Sequence, residues 1–172
     1  PILDKPIDPD ALKRIYEKIR WSPSSSNNQP WRLVFVHRED PHHQAFVEAL
    51  PLGNQWAGKA PMLIAVCGRR EDDYVREDSP VEYYQFDCGL ATMSLLLAAV
   101  DEDLMAHPMA GYNAPKVKSA LEIPEDVEVL CVVSLGYKGP LDLLDEHTRK
   151  KDESPRTRKP HHEVLCEGLW KF

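Results

Sequence analysis

Residues 21–31 read Trp-Ser-Pro-Ser-Ser-Ser-Asn-Asn-Gln-Pro-Trp, a run of hydroxyl and amide side chains between two tryptophans. A serine nucleophile is the first chemistry to test. Ser24, Ser25 and Ser26 have no G-x-S-x-G elbow around them, and seven scattered histidines single out no general base. Metal binding is the second. His42-His43 and His161-His162 are adjacent pairs whose side chains point apart on a helix or a strand, and no H-E-x-x-H spacing supports them. They read as solvated surface histidines. Two other stretches suggest ligand binding instead. Residues 106–113 (AHPMAGYN) offer Gly111, where backbone can approach a flat ligand closely. Residues 155–160 (PRTRKP) place Arg156 and Arg158 at i and i+2 in an extended segment, able to grip a phosphate in bidentate fashion. Singly, these are a polar loop, a turn and a solvated charge run. Together they describe a ligand with a phosphate, a polyol-like stretch and a planar heteroaromatic end.

Composition narrows the partners. A chain of 172 residues is one domain's worth and long enough to bury a core. Its net charge of −7 argues against nucleic acid and anionic membranes as general partners, so an anionic ligand needs a local basic cluster. The sequence opens Pro1-Ile2-Leu3-Asp4, without the basic and apolar regions of a signal peptide. The longest apolar run, residues 95–100, is far short of the ~20 residues of a membrane span. Cys67, Cys88, Cys131 and Cys166 are widely spaced with no C-x-x-C, which fits a reducing cytoplasm and neither zinc nor a dithiol.

The elements that must position these groups follow from periodicity. Residues 8–21 predict a helix with Asp8 as N-cap, Pro9 at its first position and a Leu12, Ile15, Tyr16, Ile19 stripe. The polar loop follows, because Ser and Asn compete with backbone hydrogen bonding and Pro23 and Pro30 each remove a donor. A strand is expected at 31–37, a helix from Pro41 to about residue 50, a loop at 52–61, and a continuously apolar, buried strand at 62–67. After a charged loop, Ser79-Pro80-Val81-Glu82 has the form of a capping box opening a long helix to about Val100. The second half of that helix is apolar on nearly every face, as in a core or at a subunit interface. Residues 106–113 read as a turn-rich link, 114–121 as a short helix, and 127–135 as the strongest strand. From Lys138 the chain is polar until Val164, Leu165, Leu169, Trp170 and Phe172, an apolar return that needs another surface to cover it. Strands with helices between them predict an α/β layered domain.

At this point the sequence resembles the nitroreductase family of FMN-dependent oxidoreductases over nearly its whole length. The residues that carry the resemblance are the 21–31 loop, Ala60-Pro61 before a strand, and Asp87-Cys88-Gly89-Leu90-Ala91 in the long helix. Then come His107-Pro108-Met109-Ala110-Gly111-Tyr112, Leu135-Gly136-Tyr137, residues 156–160 and Glu167-Gly168-Leu169-Trp170. The resemblance implies an α+β fold, three-layer α/β/α, with a mixed, largely antiparallel sheet flanked by helices in an intertwined homodimer. One domain spans 1–172, and 138–172 wraps the partner subunit. Pro23, Ser24, Ser25 and Asn27 would line FMN, partly from the opposite subunit, and Asn54 would approach the ring or ribityl chain. Ala110 and Gly111 would offer backbone N–H groups near the reactive ring nitrogen, and Arg156 and Arg158 would hold the phosphate. No catalytic side chain and no metal are implied. The activity implied is ping-pong electron transfer from NAD(P)H to nitroaromatics, quinones or similar planar acceptors. A weakly flavin-binding structural or regulatory homologue, or a same-fold enzyme of other reductive chemistry, is the alternative. One departure stands out: the Arg-Arg-Ser helix that usually opens the family pattern would precede Asp4-Lys5-Pro6-Ile7 and is absent from the sequence, with Lys5 as a partial substitute.

Overall fold

A computed structural model describes residues 1–170 of the chain, so Phe172 of the apolar return lies outside the described residues. The chain forms two compact units, Ile2–Gly139 and Pro140 onward with Pro1.

The larger unit is built on a sheet of order β1-β2-β4-β3. Its centre is β2 (Met62–Gly68), buried at all seven positions. A strand covered on both faces has no polar side to alternate, which is why its sequence is a continuous apolar run. It pairs with β1 (Arg32–His37) from Arg32↔Cys67 to His37↔Met62, and with β4 (Glu128–Tyr137) from Met62↔Leu135 to Gly68↔Glu128. The fourth strand, β3 (Leu104–Met109), takes up much of what the sequence suggested was a turn-rich link. Pro108 lies within it and is tolerated because β3 is an edge strand, where a missing N–H costs no ladder bond on the open side. All three pairings among the described residues are antiparallel.

Helices cover both faces. On one face α1 (Pro9–Arg20) and α3 (Tyr83–Asp101) pack Leu12, Ile15, Ala91, Leu95 and Ala98 onto Met62, Ile64, Val133 and Leu135. On the other, α2 (His43–Glu48), the 3₁₀ segment Leu52–Lys59 and α4 (Ala114–Leu121) bring Phe46, Ala57 and Val117 against Leu63, Ala65 and Val132. The α1 N-terminus is as expected: the Asp8 carboxylate accepts from the Asp10 amide at 3.1 Å, with Pro9 in the first turn.

Two expectations are corrected here, and a third is narrowed. The capping box does not cap: α3 begins at Tyr83, and the Ser79 hydroxyl instead accepts from the Val81 amide, a local turn that competes with helix entry. Of the two settings expected for the long helix, the core covers only one side within this chain: Phe86, Met93, Leu97 and Val100 lie exposed on the other. His43 is buried rather than solvated, because it faces inward one turn before Phe46, and its Nε2 has no partner.

In the second unit, α5 (Glu146–Asp152) is a helix that the polar composition concealed; the Asp145 carboxylate caps it by accepting from the Thr148 amide at 3.0 Å. Val164, Leu165, Leu169 and Trp170 are all exposed. No helix among the described residues is long and apolar enough to cross a membrane.

Leu95 is fully buried between α1 and the sheet. Leu95→Ala is expected to lower stability by about 3 kcal/mol through lost transfer energy and a cavity, read as a shifted urea midpoint at unchanged slope.

Candidate functional site

The 21–31 loop is anchored first at its entry. Ser22 donates its hydroxyl to the Ile19 carbonyl at 2.7 Å and shares a hydrogen bond with Ser94 Oγ of α3 at 2.8 Å, so it is buried while its neighbours are not. The loop then makes one 3₁₀ turn, Ser25–Asn27. Within four positions, Ser26, Asn27 and Gln29 all take positive φ, at 49°, 59° and 52°. Left-handed backbone costs a non-glycine residue ~1–2 kcal/mol, with Asn the most tolerant. Such a conformation persists only where the surroundings over-determine it.

Those surroundings are identifiable. Ser24 Oγ accepts from the Gln29 amide at 3.0 Å, closing the loop on itself. Asp87, on the buried side of α3, accepts from the Ser25 amide at 2.7 Å. Asp73 accepts from Asn28 Nδ2 at 3.2 Å and from the Tyr74 amide at 2.7 Å. At the exit, Gly68 leaves room for close packing: a Cβ there would lie 2.8 Å from Cys88 Sγ and 3.5 Å from the Pro30 carbonyl. The bonds engage the main chain of Ser25 and the side chain of Asn28. The Ser25 hydroxyl and the Asn27 side-chain amide have no hydrogen bond to protein among the described residues, and Pro23 is exposed beside them. Donors and acceptors held in a fixed backbone with no internal partner suit a polyol or ring-edge ligand.

A second cluster forms beyond β3. Asn54 donates its side-chain amide to the Gly111 carbonyl at 2.8 Å, which ties the 3₁₀ segment to the turn carrying Ala110 and Gly111, both exposed. The Asn113 amide, donating to the Ala49 carbonyl at 2.8 Å, fixes the far side of that turn. Nearby Trp56 and His107 meet edge to face at 5.2 Å.

The expected site residues therefore fall into three groups. Asn54, Ala110 and Gly111 are together, and Pro23, Ser24, Ser25 and Asn27 are together. The loop enters β1 and the turn leaves β3, so the two clusters lie at the same end of the sheet but at opposite edges. Three strand spacings separate those edges, roughly 14 Å. Arg156 and Arg158 belong to the second compact unit and are exposed there; Arg158 donates to the Thr157 carbonyl at 2.7 Å. Lys5 lies over the Tyr137 ring at 4.1 Å.

Thiol chemistry has no support in the larger unit. Burial pushes Cys67 up to about 11 and Cys88 up to about 12, so both stay protonated near neutrality. No group of three or more metal-ligating side chains exists among the described residues.

The sequence pattern of the nitroreductase family matches residues 3–50 and 39–137. This chain belongs to that family. A 15.4 kDa uncharacterized protein of Mycolicibacterium smegmatis is 34% identical over 121 residues, covering 70% of this chain and 79% of its own. A solved structure described as an oxidoreductase containing FMN superposes with a TM-score of 0.87 at 30% identity, over 99% of this chain and 86% of that one. A nitroreductase family protein of Clostridium difficile 630 gives a TM-score of 0.80 at 20% identity, over 98% of this chain and 91% of that one, a likeness of fold. A relative from Polynucleobacter asymbioticus, provisionally named NADH dehydrogenase/NAD(P)H nitroreductase, is 28% identical over 95% of this chain and 87% of its own.

Within this nitroreductase-family chain, Asp73 and Asp87 also anchor the loop, a role that their sequence context does not announce. The available signal was one acidic residue on the face of α3 that otherwise buries Tyr84, Cys88, Ala91 and Leu95.

A Cβ at Gly111 would lie 2.8 Å from Asn54 Nδ2. Gly111→Ala is expected to displace that amide and to cost about 1 kcal/mol for the lost hydrogen bond. Urea unfolding reads the loss, and faster amide exchange confined to residues 110–113 locates it.

Proposed function

We propose that this chain is an FMN-dependent oxidoreductase that takes electrons from NAD(P)H and passes them to nitroaromatics, quinones or similar planar acceptors by a ping-pong scheme. The observation that carries the reading is the strained 21–31 loop, with a Ser25 hydroxyl and an Asn27 side-chain amide that bond to no other protein group among the described residues, in a chain of the nitroreductase family. The FMN named for the 30%-identical oxidoreductase supports the cofactor, and the provisional name of the P. asymbioticus relative supports the reductant.

Bound FMN supplies the redox chemistry, and the protein supplies binding, orientation and electrostatics. Arg156 and Arg158 hold the phosphate as paired, bidentate-capable cations. Pro23, Ser24, Ser25 and Asn27 line the ribityl chain and ring edge. Ala110 and Gly111 would offer backbone N–H groups to the ring, with Asn54 holding their turn in position through the Gly111 carbonyl. No side chain is needed as acid or base.

The site is completed by a second copy of the chain. Two half-sites at opposite edges of one sheet suit a pocket shared across subunits. The exposed Phe86, Met93, Leu97 and Val100 on α3 form an apolar stripe that a partner helix covers. The tail from Lys138 embraces the partner, its exposed Val164, Leu165 and Leu169 supplying the apolar contact. Cytoplasmic residence accords with four free cysteines.

The purified protein is expected to be yellow, or to become so with added FMN, and then to oxidise NADH or NADPH. A protein that stays colourless and inactive with FMN overturns the reading. Arg158→Ala is expected to weaken FMN binding about ten- to a hundredfold, the value of one charged hydrogen bond, with an unchanged dimer by light scattering. Removing residues 160–172 is expected to shift the same light-scattering measurement toward monomer; an unaltered dimer refutes the embrace.

A further inference from the structure

Asp73 and Asp87 are a pair that the proposed reaction does not use. Asp87 is 2% exposed and Asp73 9% exposed. They come from different elements, the segment after β2 and the long helix α3. Both reach into the loop: Asp87 to the Ser25 amide, Asp73 to the Asn28 side chain. One oxygen remains unaccounted for. Asp73 Oδ2 is buried and accepts from no protein group. A buried carboxylate oxygen without a donor costs far more than a typical hydrogen bond returns, so something must donate to it.

No cation among the described residues fills that role. From β1, Arg32 is committed to the Gln29 and Trp31 carbonyls and to Asp72. From the segment after β2, Arg69 pairs with Asp72 and Asp126, Arg70 with Glu82, and Arg76 with Asp78. The remaining titratable neighbours, Cys67 on β2 and Cys88 on α3, are neutral thiols. Asp72 is already paired with Arg32 and Arg69. Two carboxylates packed together without a cation cannot both ionise cheaply.

We infer that Asp73 and Asp87 share one proton, donated from Asp87 to the vacant oxygen of Asp73, and together act as the positioning pair that holds residues 24–29 in their left-handed form. The inference rests on the flavin reading only for what the loop then binds. With the proton in place, each carboxyl keeps one oxygen for the loop and one for the other. Remove it, and two buried negative charges face each other across the anchor points, and the strain of three left-handed residues has less to hold it.

The electrostatics agree with the geometry. Burial raises the Asp87 carboxyl above the usual carboxylate range, the Ser25 amide draws it partly back, and the charge and hydrogen bond of Asp73 raise it again. A carboxyl whose folded value is raised gives its full stabilisation below the ordinary carboxylate value and loses it as pH climbs through the raised one. The loop is therefore tightest on the acid side and loosens toward alkali.

Asp87→Asn separates positioning from charge. Its amide oxygen can accept from the Ser25 amide, and its NH₂ can donate to Asp73 in place of the proton. Asp87→Ala does neither. The experiment measures amide-exchange protection of residues 24–29 in the full chain from mildly acidic to alkaline pH, with intrinsic exchange rates divided out. Wild-type protection is expected to fall with rising pH. Asp87→Asn is expected to stay protected and flat across the range, and Asp87→Ala to lose about tenfold in protection at acidic pH, the value of about 1.4 kcal/mol. A wild-type profile that does not change with pH, or an asparagine variant as unprotected as the alanine variant, overturns the shared proton. If the alanine variant does not fold, the wild-type and asparagine profiles decide alone. FMN titration of the same samples keeps the two ideas apart: protection that follows the expected pattern with no FMN binding upholds the pair and removes the flavin reading.

Discussion

A single carboxylate–amide contact, Asp87 to the Ser25 N–H at 2.7 Å, joins the least regular part of the chain to its longest helix. Nearly everything about the loop depends on it. Three non-glycine residues hold positive φ within four positions, and the local sequence supplies the Ser24–Gln29 closure and a few short-range bonds, such as Gln29 Nε2 to the Asn27 carbonyl, to keep them there. The rest comes from outside: Asp87 on α3, Asp73 on the segment leaving β2, and Ser94 about two turns further along the helix. Because α3 is itself fixed by packing Ala91, Leu95 and Ala98 against α1 and the sheet, the loop inherits the rigidity of the core. A binding loop gains from this arrangement, since a preorganised donor set loses less entropy when it meets its ligand.

Much of the fold could be read before any coordinates. The strand at β2 announced itself by an unbroken apolar run, β4 by its length, and α1 by its cap, its proline and its 3.6-residue stripe. Where reading failed, local chemistry pointed away from the tertiary answer. His107-Pro108 followed by Gly111 looks like punctuation, yet β3 exists because an edge position forgives a proline that a central strand would not. Ser79 to Glu82 has every residue of a capping box, but the serine is spent on its own turn and the helix starts later. The polar stretch of α5 hid a helix carried by its Asp145 cap and a Glu146–Lys150 pair.

The candidate site divides in a similar way. The residue types of the 21–31 loop and of the 110–111 turn were legible, and Asn54 does meet Gly111. Their backbone state was not, because serine and glutamine at positive φ are the opposite of what propensity suggests. The acidic partners were also out of reach. Asp73 and Asp87 are fourteen positions apart on unrelated elements, and nothing in a linear pattern says that both end under the same loop. Family likeness picked out Asp87 as part of a motif without assigning it a task; only the buried contact to Ser25 supplies one.

The sheet has two edges, and they are chemically unequal. Along β3, Pro108 deletes an N–H and breaks the row of groups that another strand would need. Along β1 there is no proline, no glycine and, between Arg32 and His37, no charge: residues 33–36 are Leu, Val, Phe and Val, half-buried at most save Val36. Such an edge is a template for further strands. Where crowding or partial unfolding lays it bare, self-association of this protein proceeds from β1 and not from β3, and the guards against it are only the Arg32 and His37 side chains at its two ends.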